Sequence, residues 1–122
     1  MRLAGSGSSA TEGYVEALNS TTGQWGGVCD NSFDIIDAHV ICKMLGYPTA
    51  IKALANSAAD DLYGTPFDSN FVLNNLACKG SEPSVFDCPL TGESIENCEA
   101  FEIAGVICAT SMLLIFCFLV NI

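Results

Sequence analysis

Seven cysteines, one histidine and fourteen acidic residues are the side chains of this chain that could do chemistry. The cysteines stand at positions 29, 42, 78, 88, 98, 108 and 117. Thiolates could hold a metal such as zinc, or the cysteines could oxidise in pairs. Zinc sites draw on closely spaced Cys and His ligands, and here no C-x-x-C occurs and His39 is the only imidazole. So many cysteines in so short a chain point instead to a disulfide framework made in an oxidising compartment. A bonded sulfur is no nucleophile, because the thiolate is the reactive form. His39 falls on an expected helix with no evident nucleophile at hand. The chain therefore reads as a protein that is not an enzyme.

The charge narrows the partners. Fourteen acidic residues against four basic ones give a net charge of −10. Such a chain lacks the Lys and Arg needed to neutralise phosphates, which argues against nucleic acid and against anionic lipid surfaces. The four cations, Arg2, Lys43, Lys52 and Lys79, do not adjoin in sequence, so a polyanion-binding cluster is not expected. The balance favours cationic partners or a bound divalent metal.

The element that must position these groups runs from Trp25 to Tyr47. Trp25–Val28 reads as a strand ending in Cys29, with a polar corner at Asp30 and Asn31. Asp34 stands at an N-cap position, and Asp37 adds negative charge to the first turn. From Ile35 the apolar residues keep helical spacing, with Ile36, Val40 and Met44 along one row and Ile41 and Leu45 beside it. Gly46 follows as a C′ glycine would. The helix carries Cys42 and the strand before it Cys29, so both need partners from elsewhere in the chain. Trp25 is read as core packing.

Around that unit, Met1–Ala4 reads as an edge strand, Gly5–Thr11 as a loop, and Tyr14–Leu18 as a half-buried strand by its alternation. Asn19-Ser20-Thr21 is an N-glycosylation acceptor in a turn between two strands. Thr49–Leu54 reads as a strand, Ala55–Pro66 as a long surface loop and Phe71–Leu73 as a short buried strand. Cys78 and Cys88 bracket a short turn-rich span, Glu93–Glu99 is an acidic loop around Cys98, and Ile103–Cys108 is a last strand able to pair centrally.

Residues 109–122, ATSMLLIFCFLVNI, are uncharged and almost wholly apolar. As a helix they would reach about 21 Å at ~1.5 Å per residue, short of the roughly 30 Å bilayer core. They are read as a hydrophobic tail, the start of a transmembrane segment that would anchor the protein, against the alternative of a buried C-terminal element. Cys117 within it is either an inert thiol or a site of palmitoylation or intermolecular bonding. The N-terminus carries no secretory signal, although the cysteines require export, so the chain is expected to be a fragment of a longer protein.

Taken in order, the segments RLAG at 2–5, EGYVEAL at 12–18, GQWGGVCD at 23–30, DAHVICKMLGY at 37–47, FVLNNLACKGSEPSVFDC at 71–88 and NCEAFEIAGVIC at 97–108 resemble the scavenger receptor cysteine-rich (SRCR) domain. The resemblance covers Arg2 to Cys108. It implies an α+β fold, a curved, mostly antiparallel β-sheet cradling one α-helix, with an SRCR domain over 1–108 and the hydrophobic tail over 109–122. The eight-cysteine subgroup has additional cysteines where this chain has Gly13 and Tyr47, so the chain resembles the six-cysteine (group A) subgroup. Six cysteines alone leave many pairings open. The resemblance selects Cys29–Cys98, Cys42–Cys108 and Cys78–Cys88.

The resemblance also implies a function. Family members bind Ca²⁺ through two acidic residues after the first cysteine and a glutamate near the last strand, and the matching positions here are Asp30, Asn31 and Glu102. Calcium takes about six to eight oxygen ligands. Asn31 keeps an oxygen but loses a charge, and Ile103 stands where the family has a further aspartate. The expected site is therefore weak, on the order of millimolar. The chain is expected to be an extracellular ligand-binding module of scavenger-receptor type, secreted or on the outer face of the plasma membrane, that recognises a protein or surface ligand. The alternative is an accessory domain of a larger mosaic protein of protease or lysyl-oxidase-like type, or an adhesion spacer.

Overall fold

The computed structural model describes residues 1–66, 70–91 and 98–111. Strand β2, Glu12–Asn19, organises the sheet. Its alternation buries Val15 and Ala17 completely on one face and leaves Tyr14 and Glu16 half-buried on the other. Tyr14 pairs with both Ala4 and Gly105, and Glu16 with both Arg2 and Gly27. A strand has only two edges, so β1 (Arg2–Ala4) takes one. The other edge is shared by β3 (Gln24–Val28) near the end of β2 and β6 (Gly105–Ala109) near its start. A bridge between Cys29 and Ile103 links those two strands. Beyond them lie β4 (Thr49–Leu54), antiparallel to β6, and β5 (Phe71–Leu73), parallel to β3. The result is a curled, mostly antiparallel half-barrel.

Helix α1, Ile35–Met44, has its termini closed by short polar devices. Asp34 Oδ1 accepts hydrogen bonds from the backbone N–H groups of Ile36 and Asp37 at 3.0 Å each. Asp37 Oδ2 reciprocates by accepting from the Asp34 N–H at 2.9 Å, completing a capping box. At the other end Gly46 has φ +96°, and the N–H groups of Gly46 and Tyr47 donate to the carbonyls of Lys43 and Cys42. That is a Schellman arrangement, and the left-handed position suits glycine because it has no Cβ.

One helix expectation holds with an addition and another is corrected. Asp37 stands in the first turn as expected, and it is also 1% exposed, its Oδ1 accepting from the Cys78 N–H at 2.9 Å. Ile36 does not belong to the buried row, being 42% exposed. The inward face is formed by Asp37 and Ile41 with Ala38 and Cys42, because the tie from Asp37 to Cys78 turns that side toward the protein. Val40 and Met44 flank it toward the 78–88 span, where the Val85 N–H meets the Met44 sulfur.

A further correction concerns Ala55–Pro66. Ala58–Tyr63 within it forms a second short helix, α2, so the sheet carries more than one helix. Ser57 precedes it in a left-handed conformation without a side-chain cap, which is why the segment lacks a helix-start signature. Tertiary burial holds it: Ala59 and Tyr63, one turn apart, are both buried. A Cβ built on Gly105 would stand 2.7 Å from the Ala59 Cβ and 2.9 Å from the Gly13 carbonyl, so only glycine lets α2 and β2 approach β6 this closely. The last strand also begins two residues later than expected, at Gly105, the preceding Ile103 making only the isolated bridge.

The core has two parts. Between α1 and the sheet lie Val15, Val28, Phe33, Ile41, Leu73, Leu76, Val85 and Val106, together with Cys42 and Cys108. These two cysteines form a disulfide with Cα atoms 5.6 Å apart. The second part gathers Leu54, Ala59, Tyr63, Phe71 and Ile103 around the Cys29–Cys98 disulfide. Cys78 and Cys88 close a ten-residue separation on themselves. Most of the acidic loop, residues 92–97, lies outside the described residues, as do the tail from 112 onward and Cys117. No helix among the described residues is long and apolar enough to cross a membrane.

The buried Asp37 carboxyl is pushed up from the ordinary 3.8 to about 6, mainly by burial, with the N–H groups of Cys78 and Asp34 opposing the shift. Its stabilising contribution is therefore full below the ordinary value and lost as pH rises through about 6. In urea denaturation, wild type should lose stability relative to Asp37→Asn as pH is raised across the window between those two values. A stability difference that stays flat across the window would contradict this assignment.

Candidate functional site

The site forms where β3 stops. The Ala104 N–H donates to the Val28 carbonyl and the Asp30 N–H donates to the Glu102 carbonyl, each at 2.7 Å. These two bonds, and the Cys29–Cys98 disulfide with its 6.1 Å Cα separation, bind the 28–30 backbone to the 102–104 segment. Asp30 is thereby 7% exposed. Its Oδ2 accepts from the Ser57 N–H at 3.1 Å, and the Asn56 N–H also turns toward it. Asn56 and Ser57 are consecutive left-handed residues, φ 53° and 69°. Both N–H groups of this pair thus face the Asp30 carboxyl.

Burial raises the Asp30 carboxyl above its ordinary value. The Glu102 charge adds to that rise, while the N–H groups of Ser57 and Asn56 oppose it. Glu102 ends the 3₁₀ turn Ala100–Glu102, half-buried, with its Oε1 accepting from the Glu99 N–H at 3.5 Å. Asn31 is half-buried and its Nδ2 donates to Cys98 Sγ at 3.8 Å. The structure thus brings Asp30, Asn31 and Glu102 to one corner around the Cys29–Cys98 bond.

The corner's chemistry is that of hard oxygen donors. The Cys29 and Cys98 sulfurs and a Glu102 oxygen lie within 4.8 Å of one another, but both sulfurs are in the disulfide and cannot act as thiolate ligands. The same holds for Cys78 and Cys88 beside Glu82. Two carboxylates and an amide oxygen fit a Ca²⁺-type donor set, with backbone carbonyls and waters needed to complete about six to eight oxygens. The residues fit in kind because Glu102 and Asp30 repel, and a divalent cation between them would relieve that repulsion.

Other candidates have structural partners. The Arg2 guanidinium stacks over Trp25 at 4.1 Å, and its Nε donates to Glu16 at 2.8 Å. Trp25 is accordingly half-buried under a cation, not enclosed in the core. His39 Nδ1 is hydrogen-bonded to Thr49 Oγ1 on β4, so the imidazole ties helix to sheet. Asn19 sits at the β2–β3 turn, its Oδ1 accepting from the N–H groups of Thr21 at 2.9 Å and Thr22 at 3.3 Å. The role of Asn56 and Ser57 in holding Asp30 has no signature in the sequence beyond an asparagine, which tolerates left-handed backbone.

The family model of the scavenger receptor cysteine-rich domain matches residues 5–109. The chain belongs to this family. This SRCR chain is 39% identical to galectin-3-binding protein of Rattus norvegicus over 109 residues, which is 89% of the chain and 18% of that relative. It is 40% identical to lysyl oxidase homolog 2 of Rattus norvegicus over 108 residues, 88% of the chain and 13% of the relative. Among solved structures, the third SRCR domain of murine neurotrypsin superposes with a TM-score of 0.72 at 33% identity, covering 88% of this chain and 92% of that domain. The SRCR chain therefore spans less than a fifth of the length of these curated relatives and nearly all of the solved domain.

The geometry makes the Asp30–Glu102 coupling measurable. Replacing Glu102→Gln should move the Asp30 titration to lower pH, followed by NMR of its carboxyl carbon. An unmoved titration would mean that the two carboxylates do not sense each other.

Proposed function

We propose that this SRCR chain is a non-catalytic extracellular binding module of the six-cysteine type, whose acidic corner meets a cationic protein or surface ligand with the help of weakly bound calcium. The observation that carries this reading is the buried Asp30 carboxyl held beside Glu102, with its charge partly compensated by the Asn56 and Ser57 N–H groups. A chain with a net charge of −10 gains by adding a cation at such a corner. Asp30, Glu102 and the Asn31 oxygen would hold the metal. Bound there, it would supply a positive centre through which acidic or neutral oxygens of a ligand could also be drawn. The name of the rat galectin-3-binding protein gives that relative a protein partner, which supports protein recognition as the task of this module.

Catalysis is left to other parts of any larger protein, since the six described cysteines are bonded and His39 is committed to Thr49. The small share of each curated relative that the chain spans favours a second reading, in which the module serves inside a mosaic protein and positions another domain. The apolar stretch that follows β6, from residue 110 onward, would then act as a hydrophobic attachment for the domain, at a membrane or against a neighbour.

Calcium titration by calorimetry tests the corner directly. Wild type should bind with roughly millimolar affinity, the low-affinity extracellular range, and Glu102→Ala should lose most of the signal; identical traces would end the calcium proposal. Binding to a cationic surface should weaken steadily as salt is added, because exposed charges are screened beyond about 8 Å already at physiological ionic strength. Salt-insensitive binding would argue for an apolar contact instead.

A further inference from the structure

The β2–β3 turn carries a group that the acidic corner does not use. Asn19-Ser20-Thr21 is the only N-x-S/T triplet in the sequence. It begins on the last residue of β2, and residues 20–24 are all exposed. Both Asn19 side-chain hydrogen bonds run through Oδ1, from the N–H groups of Thr21 and Thr22, and among the described residues Nδ2 donates none. Donors at Oδ1 stabilise the negative charge that this oxygen takes on as Nδ2 gives up a proton. The surrounding space is open: a Cβ built on Gly23, which closes the turn at φ +74°, would meet nothing within 4 Å.

We infer that Asn19 is an N-glycosylation site and that the folded turn accommodates the attached oligosaccharide. The donor class is a lipid-pyrophosphate-linked oligosaccharide. Nδ2 attacks the anomeric carbon of its reducing-end sugar and the N–C bond forms. The bond from that carbon to the pyrophosphate oxygen breaks, the lipid pyrophosphate leaves with the bonding electrons, and one Nδ2 proton passes to a base of the transferase. The inference rests on the extracellular reading, since the donor is met only on the export route. The five residues of β3 separate the turn from the acidic corner by about 17 Å at ~3.3 Å per residue. Carbohydrate at Asn19 therefore stands at the opposite end of β3 from Asp30.

The experiment expresses the full chain behind a secretory leader in a eukaryotic cell and analyses the protein from both the medium and the secretory membranes. The expected wild-type protein migrates with a single-glycan mobility shift that an amide-cleaving glycosidase removes, leaving aspartate at position 19. Thr21→Ala keeps the backbone N–H and hence the turn, and should abolish the shift; Thr21→Ser should retain it. Wild-type protein that enters the secretory membranes with its disulfides formed but without a shift would overturn this inference and leave the binding-module reading standing. A shift that persists in Thr21→Ala would also overturn it. Protein that carries the glycan while binding neither calcium nor a cationic surface would support the inference and remove the proposed function.

Discussion

The return of the 98–109 segment onto β2 and β3 is the constraint from which the rest of this structure follows. Two disulfides hold it, Cys29–Cys98 across a separation of 69 residues and Cys42–Cys108 across 66. Cross-links of such long loops restrict the unfolded chain and contribute roughly 2–4 kcal/mol each. A domain of this size has a modest core, and here that core is split in two, with one long-range disulfide inside each part. Once the segment is home, β6 bridges β2 and β4, and the edge of β2 is divided between two strands that must diverge. The curl of the sheet and the concavity that receives α1 come from that division.

Polar cross-links repeat the work of the disulfides at closer range. Asp30 and Asp37 are both buried aspartates near the start of the helical unit, and each accepts a backbone N–H from a distant loop: Ser57 for Asp30 and Cys78 for Asp37. A carboxylate has several acceptor positions and a short, stiff stem, so one side chain can cap its own element and fasten another. The cost is desolvation, and both carboxyls rise above their ordinary values because of it. In both, backbone donors oppose the rise without cancelling it and a neighbouring carboxylate adds to it, Asp34 for Asp37 and Glu102 for Asp30. Asp37 meets its neighbour within one capping box, whereas Asp30 meets a carboxylate brought to it beside the Cys29–Cys98 bond.

The surface chemistry agrees with this division. The single arginine is engaged with Glu16 and Trp25 at the outer face of the sheet, and Lys79 lies in the 78–88 turn where Glu82 accepts its backbone N–H. Glu82 is held below its ordinary value by that N–H, which marks a carboxylate already satisfied within its own turn. Asp30 and Glu102 form a like-charge contact at the acidic corner. It lies beside the disulfide that fixes the geometry of both.

The amino-acid sequence by itself determined the local elements and pointed to disulfide chemistry. Period-two alternation in 14–18, the capped apolar pattern of 34–46 and the density of cysteine are local signals, and strands, helix and oxidising chemistry follow from them with little dependence on what lies across the fold. The ordered motifs also carried the family resemblance and with it the curved sheet. Tertiary structure alone decided the rest. Helix α2 forms because Ala59 and Tyr63 find a surface made by Gly105 and Gly5, and no cap or period announces that. Asp37, the first-turn acid that the sequence placed, is also a buried tie because the amide that claims it belongs to Cys78, 41 residues away. Asp30 acquired its raised proton affinity from burial and from the Glu102 charge, against the opposing Ser57 N–H, and neither Ser57 nor Glu102 is near it in sequence. Propensity and periodicity are properties of neighbouring residues, whereas burial and field are sums over whatever the closed chain brings together.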